Sequence, residues 1–547
     1  MMKSGIVVFA TAAVLLAGCE NLKPGTAATP RKPKVLLVMF DGLRADALET
    51  AHVPAIDSLR TGSWAPGYAG AWSLTGLAVP DARPSSAANH TAISTAVNAK
   101  KTRVFQNGET KKGDYATWPT WLTRVTAARP ETTALFMFSW KENADYPPTD
   151  RVRFIHDTDE HNGAALPKIL AAANAPDAIQ YFIDLPDHGG HRYGFYPFSR
   201  TYLAAVHQAD AYLGAALEAI RSRPTFDQED WLVLATADHG GYLRSHGLWG
   251  GHSSTVPIVL SGRNIPSGRL AGAPHHYDLT ATALVHFGLD PAALGLDGRP
   301  LVTSAAPAPA RPLGDGLVAA FDFQTATPEN AVKDGPKAKL VGTRAVSGVE
   351  DGILRFHGTN AMERGGVVLE GSDKLSFEHG GDFTAVVWAR LPAAQSGDPV
   401  LFSNKDWDKG VNPGLALVAA KKMEGARAPG VVLNAGRPNA GRIDVGQFDV
   451  EPGVWTFYAV VRTAEGVLVA YQGRSDGRLN WCCWPADDIV VSTGLPFALG
   501  QDGTGAYPHA LTGDLDDFAL WTRALGHDEI KALFRAGRQG LALRDLL

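Results

Sequence analysis

Cysteine is scarce in this chain, with only three among 547 residues. Cys482 and Cys483 are neighbours between Trp481 and Trp484, and no cysteine elsewhere in the folded part could pair with them at a distance. A disulfide framework is therefore excluded as the source of stability. We expect the pair to be two small, buried, apolar side chains, and a vicinal disulfide is the alternative.

Positive charge is not in excess either, and long hydrophobic runs are few. The net charge is -5 at pH 7, which gives no basic surface for nucleic acid. The apolar run from Ile6 to Leu16 is too short to span a bilayer. With 45% hydrophobic and 20% charged residues, the remaining chain has a globular balance, and its length predicts two or three domains.

The N-terminus has the features of a targeting segment. Lys3 precedes the apolar run, and Leu16-Ala17-Gly18-Cys19 closes it. These four residues resemble the bacterial lipoprotein cleavage box, which implies a signal peptide over residues 1–19 and a lipidated Cys19. Glu20, rather than Asp, follows, and by resemblance to the known sorting rule this implies the outer membrane, facing the periplasm or cell surface. An ordinary cleaved signal is the alternative.

After a Pro, Ala, Thr and Lys-rich tether over residues 20–33, the pattern becomes that of an α/β domain over residues 34–303. Short continuous apolar runs alternate with helical stretches, one of which begins at Ser199. Such runs are typical of parallel strands covered on both faces, so we predict a doubly wound sheet. The predicted strands are Val35–Phe40, Thr133–Phe138, Ile179–Ile183, Leu232–Ala235 and Val256–Leu260.

A Pro and Ala-rich linker over residues 304–313 separates this domain from residues 314–547, where the hydrophobic period changes to two. That period predicts antiparallel strands and an all-β sandwich or jelly roll. The clearest strands are Val318–Phe323, Phe383–Arg390, Val454–Arg462, Gly466–Tyr471 and Asp517–Trp521.

Carboxylates and imidazoles follow several strands of the first domain. Asp41, Asp187 and Asp238 each come just after an apolar run, and His191 and His239 lie close to two of them. In α/β sheets functional groups gather at the carboxyl ends of strands. Carboxylates, imidazoles and one hydroxyl, that of Ser86, are what a two-metal phosphoryl-transfer site needs.

The order and spacing of six fragments together resemble the alkaline phosphatase superfamily, above all its type I phosphodiesterase/nucleotide pyrophosphatase-like and phosphatase-like branches. The fragments are Phe-Asp41-Gly42-Leu-Arg, Ser86 four residues before His90, Gln-Asn107-Gly, Pro-Asp187-x-x-Gly-His191, Ala-Asp238-His239-Gly-Gly and Ser-His246-Gly. The resemblance covers roughly residues 35–302. A sulfatase would need Cys/Ser-x-Pro-x-Arg, and Ser86-Ala-Ala-Asn-His has neither the Pro nor the Arg.

The resemblance implies two Zn²⁺ ions, or other divalent ions, with Ser86 as the nucleophile. It assigns Asp41, Ser86, Asp238 and His239 to one ion, and Asp187, His191 and His246 to the other. Ser85 competes with Ser86 as the nucleophile, and His252 competes with His246 as the last ligand.

Two further residues have implied catalytic roles. Asn107 would donate a hydrogen bond to a phosphoryl oxygen. Lys141 would bind phosphate, or it is a solvated surface charge. Asn143 stands where the monoesterase-like branch has an Arg, which leaves monoester and diester substrates both open. We assign no metal to His90 or His188, and we expect Asp210 and His207 to face solvent.

The second domain resembles a laminin-G-like, concanavalin A-like jelly roll. The resemblance rests on Val318-Ala-Ala-Phe-Asp-Phe, Phe383-Thr-Ala-Val-Val-Trp, Gly453-Val-Trp-Thr-Phe-Tyr and the closing Leu515-Asp-Asp-Phe-Ala-Leu-Trp. Such domains bind glycans or proteins, and some hold calcium. Asp514, Asp516 and Asp517 are the calcium candidates, with simple loop solvation as the alternative.

Together these features predict a metal-dependent hydrolase of phosphate esters, a phosphatase or phosphodiesterase. It would be anchored in the cell envelope by Cys19, and its sandwich domain would bind a glycan or an envelope protein. The alternative is an envelope protein that has lost catalysis, or one that transfers the phosphoryl group to an acceptor other than water.

Overall fold

The computed structural model describes residues 31–247, 250–301, 311–342, 347–358, 365–370, 381–409, 413–420, 430–439, 441–463 and 466–546. The predicted signal peptide, almost all of the tether and most of the linker lie outside these residues. Within them, no helix combines the length and the apolar character needed to cross a membrane.

A mixed sheet of eight strands forms the first layer, in the order β4-β3-β5-β1-β6-β7-β2-β8. The strands from β4 to β6 in this order are mutually parallel, whereas β7 is antiparallel to both β6 and β2. The bounds are β1 Lys32–Phe40, β2 Ala69–Leu77, β3 Ala134–Phe138, β4 Val152–His156, β5 Ala178–Ile183, β6 Glu229–Thr236, β7 Thr255–Gly262 and β8 Gly268–Arg269.

Helices lie between and beside these strands. The longest, α7, begins after Ser199, whose side chain accepts the N–H of Tyr202, as predicted for an N-cap. The bounds are α1 Pro54–Thr61, α2 Ser86–Thr95, α3 Ala99–Thr102, α4 Trp121–Ala128, α5 Asp159–Ala171, α6 Leu185–Tyr193, α7 Arg200–Arg221, α8 Gly251–Ser254, α9 Asp278–His286 and, near the C-terminus, α10 His527–Arg538.

The predicted α/β class is confirmed, but the direction of one strand was predicted wrongly. The run Val256–Leu260 forms the centre of β7, which is antiparallel to β6 and not parallel to it. Every residue of β7 is buried. A strand covered on both faces has the same apolar sequence in either direction, so its composition does not reveal its orientation.

The second domain is a sandwich of two antiparallel sheets, which confirms the predicted jelly roll. One sheet has the order β10-β13-β22-β15-β16-β17-β18, and the other β11-β12-β23-β14-β19-β20-β21 with β9 beside β23. The bounds are β9 Leu317–Phe321, β10 Lys337–Val341, β11 Ser347–Glu350, β12 Ile353–His357, β13 Gly366–Glu370, β14 Phe383–Arg390, β15 Val400–Ser403, β16 Leu415–Ala420, β17 Gly430–Arg437, β18 Gly441–Asp449, β19 Trp455–Arg462, β20 Val467–Gly473, β21 Leu479–Pro485, β22 Phe497–Leu499 and β23 Thr512–Trp521.

Strand β21 joins the two domains. Its Trp481 donates from Nε1 to the Leu74 carbonyl at 3.3 Å, and the Cys483 N–H donates to Thr255 Oγ1 at 2.8 Å. Cys482 and Cys483 are free thiols and fully buried, so the expectation of small apolar side chains is confirmed and the vicinal disulfide is wrong. Burial raises the pKa of Cys483 to about 12.

Asp210 corrects another expectation. It is fully buried and not solvent-facing, and its carboxylate accepts the N–H groups of Ala55 at 3.0 Å and Ile56 at 2.8 Å. The N-cap residue of α1, Val53, has no side-chain acceptor, so Asp210 on α7 satisfies the first turn of α1 from outside. His207 is exposed, as expected.

Asp210→Ala should lower the free energy of unfolding by about 1–3 kcal/mol, because two buried N–H groups lose their acceptor. Urea denaturation measures this change. The matched control is Asp57→Ala on the same helix, where the removed carboxylate is 56% exposed and pairs only with Arg60; its effect should stay within about 0.5 kcal/mol. Equal effects of the two substitutions would contradict the capping role.

Candidate metal centre and active site

Three neighbouring strands bring the predicted aspartates to one edge of the sheet. Strand β1 lies between β5 and β6, and all three are parallel. Asp41 directly follows β1, Asp238 lies two residues after β6, and Asp187 lies in the first turn of α6 just after β5. The carboxyl ends of parallel strands meet at the same edge, so these three carboxylates converge.

Ser86 is the first residue of α2 and is buried. Ser85, not Ser86, occupies the N-cap position. The amide dipoles at a helix N-terminus favour negative charge, so this position suits a deprotonated hydroxyl.

Four predicted ligands converge on one point. From Nε2 of His239, the distance is 3.3 Å to Ser86 Oγ, 3.1 Å to Asp238 Oδ2 and 3.5 Å to Asp41 Oδ1. In a tetrahedral zinc site with bonds of about 2.0–2.2 Å, two ligand atoms lie about 3.3–3.5 Å apart. The distances from His239 therefore match those of a four-ligand metal site.

Buried carboxylate oxygens without partners point to the same place. Among the described residues, Asp41 Oδ1, Asp187 Oδ1 and Asp238 Oδ2 are buried and accept no hydrogen bond. Burying charged oxygen atoms without a partner is costly, and native proteins offset it with ion pairs or metals. Because two of these oxygen atoms belong to the set around His239, the ligand atoms of that set are suited to bind a cation.

The hydrogen bonds of three histidines leave a lone pair on the opposite ring nitrogen. Nδ1 of His239 donates to the Gly240 carbonyl at 2.8 Å, Nδ1 of His191 to that of Arg244 at 2.9 Å, and Nδ1 of His246 to that of Pro84 at 2.9 Å. A carbonyl only accepts, so Nδ1 carries the proton and Nε2 is free to bind a metal.

His252, the competitor of His246, has the opposite arrangement. The Arg44 guanidinium donates to its Nδ1 at 3.0 Å, so that nitrogen is already an acceptor and the proton belongs on Nε2. The structure groups His246, and not His252, with Asp187 and His239 as potential ligands whose donor atoms all lie within 4.8 Å of one another.

The second predicted set centres on Asp187 and is more open. Asp187 Oδ2 lies 3.3 Å from Nε2 of His191, and Asp187 Oδ1 lies 3.8 Å from Nε2 of His246. The His191 side chain is 45% exposed, and the rings of His191 and His246 have centroids 4.9 Å apart. All three predicted ligands of the second ion therefore lie together, and their side chains are more exposed than those of the first set.

His90, to which we assigned no metal from the sequence, lies beside two of the carboxylates and groups with Asp41 and Asp238 as a potential ligand. It is fully buried, with Nε2 3.0 Å from Asp41 Oδ2 and 3.3 Å from Asp238 Oδ2, and Nδ1 3.1 Å from Asn143 Oδ1. Its contact with Oδ2 of Asp41 leaves Oδ1 turned toward His239. His90 lies four residues after Ser86 on α2, and this i, i+4 spacing was the signal that placed it on the same helix face.

The buried carboxylates of the site act on one another electrostatically. Burial, together with the nearby Asp238 and Asp187, raises the pKa of Asp41 well above its usual value. Burial would also raise the pKa of Asp238, but His239, His90 and the Gly42 N–H outweigh it and lower that pKa. Burial and the neighbouring His239 lower the pKa of His246 to about 3. A cation would therefore displace a proton from Asp41 and meet a neutral imidazole at His246.

The two predicted non-ligand residues lie nearby on exposed segments. Asn107 accepts the Ala87 N–H through Oδ1 at 3.0 Å, beside the start of α2, so its Nδ2 remains as the donor. Lys141 is exposed at the first residue of a short 3₁₀ helix, Lys141–Asp145. The next residue, Glu142, accepts the N–H groups of Gly108 at 2.9 Å and Thr110 at 3.1 Å, which fixes the loop after Asn107.

Gly42 is required at its position by both space and conformation. Its φ of +70° lies in the left-handed region, and a Cβ there would lie 2.8 Å from Asp187 Cα and 2.9 Å from Asp187 Oδ1. Its N–H donates to Asp238 Oδ1 at 3.0 Å, and its carbonyl accepts the Tyr202 hydroxyl at 2.7 Å. Gly42 thereby lets the two sets of ligands approach each other.

The calcium candidates lie in the sandwich. Asp514 accepts hydrogen bonds from Arg355 at 3.0 Å and Arg390 at 2.7 Å, so its charge is already paired. Burial raises the pKa of Asp516 to about 7 and that of Asp517 to about 6. Calcium at these residues stays a prediction.

Comparison with known proteins matches two families to this chain. Residues 35–242 match the model of type I phosphodiesterase / nucleotide pyrophosphatase, and residues 364–531 match that of the concanavalin A-like lectin/glucanases superfamily. A phosphopentomutase from Vibrio campbellii is 27% identical over 131 residues, which cover 23% of this chain and 29% of that protein. The match thus spans less than a third of that relative.

Two solved structures are each similar to part of the chain. Murine ectonucleotide pyrophosphatase / phosphodiesterase 5 has 15% identity and a TM-score of 0.38, covering 47% of this chain and 96% of that one. Domain 4 of an extracellular arabinanase from Geobacillus stearothermophilus has 16% identity and a TM-score of 0.29, covering 40% of this chain and 97% of that one.

Gly42→Ala should weaken metal binding by about tenfold or more, because the added methyl displaces Asp187. Titration of the metal-free protein with Zn²⁺ measures this. Gly214→Ala is the control: it lies in α7, and its Cβ would meet only Ala55 Cβ, at an ordinary 3.5 Å. Unchanged affinity in Gly42→Ala would show that the Asp41–Gly42 turn does not shape the site.

Proposed function

We propose that this chain is a two-metal phosphoric ester hydrolase with Ser86 as its nucleophile. Residues 35–242 match the type I phosphodiesterase / nucleotide pyrophosphatase family, and residues 364–531 match the concanavalin A-like superfamily. The family supports phosphoryl transfer or hydrolysis in general, and the residues around Ser86 support the more specific proposal.

One observation carries the proposal. Ser86 Oγ, Asp41 Oδ1 and Asp238 Oδ2 all lie within 3.5 Å of the Nε2 of His239. Two of these oxygen atoms have no hydrogen-bond partner among the described residues. A hydroxyl beside such a set is the arrangement in which a cation can lower the pKa of a nucleophile.

The ligands themselves suggest zinc. Three imidazoles with carboxylates form a mixed N and O donor set, which zinc favours over magnesium or calcium. Asp41, Ser86, Asp238 and His239 would hold one ion, and Asp187, His191 and His246 the other. When bound, the pair of ions supplies positive charge that activates the nucleophile and neutralises the phosphoryl oxygens.

The chain's own groups account for the remaining steps. Ser86 Oγ attacks the phosphorus, the ester oxygen departs and takes up a proton, and a phosphoseryl group is left on Ser86. The N-terminus of α2 stabilises the deprotonated Ser86. Asn107 Nδ2 donates to a non-bridging oxygen as charge develops there. Water then cleaves the Ser86–phosphate bond and regenerates the hydroxyl.

A second candidate function is transfer of the phosphoryl group to an acceptor other than water. The similarity to a phosphopentomutase over 131 residues favours it. Both functions share the phosphoseryl step and differ in what accepts the group. Product analysis in the presence of sugar or other hydroxyl acceptors distinguishes them.

The remaining parts of the chain would place the enzyme in the cell envelope. Lipidation of Cys19 would anchor it in the outer membrane, and the sandwich would bind a glycan or an envelope protein. Lys141 would contact the substrate phosphate from its exposed position, and calcium would bind at Asp516 and Asp517.

Ser86→Ala should lower kcat with p-nitrophenyl phosphate and with bis-p-nitrophenyl phosphate by about a thousandfold or more, because the covalent step is lost. Ser85→Ala is the matched control, since Ser85 is the adjacent buried hydroxyl and its side chain does not cap α2. Full activity in Ser86→Ala, or equal losses in both variants, would contradict the assignment. The ratio of the two substrate rates separates phosphatase from phosphodiesterase.

Cys19→Ser should release the full-length protein from membranes in a Gram-negative host, because the acceptor of the lipid is lost. The distribution of the protein between the membrane pellet and the soluble periplasmic fraction measures this. Wild-type protein found in the soluble fraction would contradict lipid anchoring while leaving the catalytic proposal intact.

A further inference from the structure

We propose that the sandwich domain is a structural part of the metal centre, because Asp449 positions the segment that carries and orients two of the second ion's ligands. Residues 240–247 are here called the His246 segment. This inference rests on the proposed function, since it concerns the second metal set.

The His246 segment acts on both histidines of that set. His246 belongs to the segment itself, and the carbonyl of Arg244 accepts the Nδ1 proton of His191 at 2.9 Å. The Leu243 carbonyl accepts the Phe195 N–H at 2.7 Å, which ties the segment to the end of α6. A shift of this backbone would therefore move His246 and release the ring of His191 at the same time.

The backbone of the segment is strained. Leu243 has a φ of +54°, in the left-handed region that residues with a side chain rarely adopt. Such a conformation persists only where the surroundings hold it. The segment is otherwise irregular, with one isolated bridge between Tyr242 and Ser245. Contacts from outside the segment must therefore fix it.

Asp449 of the sandwich supplies such a contact. The hydroxyl of Tyr242 donates to Asp449 Oδ1 at 2.8 Å, across a separation of 207 residues. Asp449 is itself fixed, because its carbonyl accepts the side-chain amide of the buried Gln472 at 2.7 Å, and Gln472 accepts a hydrogen bond from Asn480 at 3.2 Å. The acceptor for Tyr242 thus belongs to a hydrogen-bonded part of the sandwich, at the end of β18.

His252 packs beside Tyr242 at the same contact between the two domains. Its ring lies parallel to that of Tyr242, with centroids 5.6 Å apart and an angle of 11°, and Phe448 meets it edge-on at 5.2 Å. Arg44, three residues after Asp41, donates to His252 and also to the carbonyls of Phe195 at 2.9 Å and Gly241 at 3.2 Å. Groups from both domains therefore contact the His246 segment, Arg44 from the first domain and Asp449 from the sandwich.

His252 was the alternative last ligand of the second ion. It lies close to the site but packs between the domains, where it supports Tyr242 instead of binding a cation. The sandwich, through Asp449 and Phe448, therefore has a role in forming the second metal set in addition to any ligand of its own.

The test is Zn²⁺ titration of the metal-free full-length protein, with competition against a chelator. Wild type should bind two equivalents. Asp449→Ala and Tyr242→Phe should each weaken the affinity for one of the two zinc ions by about tenfold and leave the affinity for the other unchanged. Asp449→Asn, which keeps an acceptor oxygen, should remain near wild type. The double variant Asp449→Ala/Tyr242→Phe should be no weaker than either single one, because both remove the same bond.

The control is Asp528→Ala, which removes an ion pair between the domains at 3.5 Å from Arg269. It should leave both equivalents unchanged. Hydrogen exchange of the amides of residues 240–247 should accelerate in Asp449→Ala and Tyr242→Phe but not in this control. Tyr242→Phe retains the packed ring, so it reports on the bond even if Asp449→Ala folds poorly.

The contrary result is that Tyr242→Phe binds both zinc ions with wild-type affinity and shows unchanged amide hydrogen exchange in the His246 segment. That result would overturn the positioning role and leave the proposed function standing. An equal loss in Asp528→Ala would overturn it too, because the effect would then reflect the domain contact in general. A wild-type protein that binds no metal would overturn the proposed function and this inference with it.

Discussion

Crowding of buried carboxylates is the constraint on which this structure depends. Asp41, Asp187 and Asp238 meet at one edge of the sheet, and each has one buried oxygen that accepts no hydrogen bond among the described residues. Such a set repels itself, as the raised pKa values of Asp41 and Asp187 reflect, with burial as the leading cause. Positive charge in the midst of these oxygens would remove both the repulsion and the cost of burial.

Several features of the fold around these carboxylates would allow a cation to bind among them. Parallel neighbours β5, β1 and β6 end at the same edge, and Gly42 allows the turn after β1 to touch Asp187. Backbone carbonyls hold the Nδ1 protons of the three histidines, so each Nε2 keeps its lone pair. The sandwich contributes a contact from outside, because Asp449 accepts a hydrogen bond from Tyr242.

The sequence predicted the parts of this arrangement that depend on local pattern. Asp41 and Asp238 were recognisable because a buried strand ends just before each of them, and the sandwich because its period is two. The direction of β7 was missed because a doubly buried strand has no directional signal. Asp210 was missed because its partners, the free N–H groups of α1, are more than 150 residues away. The bond from Tyr242 to Asp449 spans 207 residues and leaves no local signal at all.

The most direct test of the central claim is anomalous diffraction at the zinc edge from crystals of the zinc-loaded protein. We expect two peaks: one at about 2.0–2.2 Å from His239 Nε2, with Asp41, Asp238 and Ser86 around it, and one among Asp187, His191 and His246. Absence of a peak beside His239, or a single peak coordinated by His90 in its place, would contradict it.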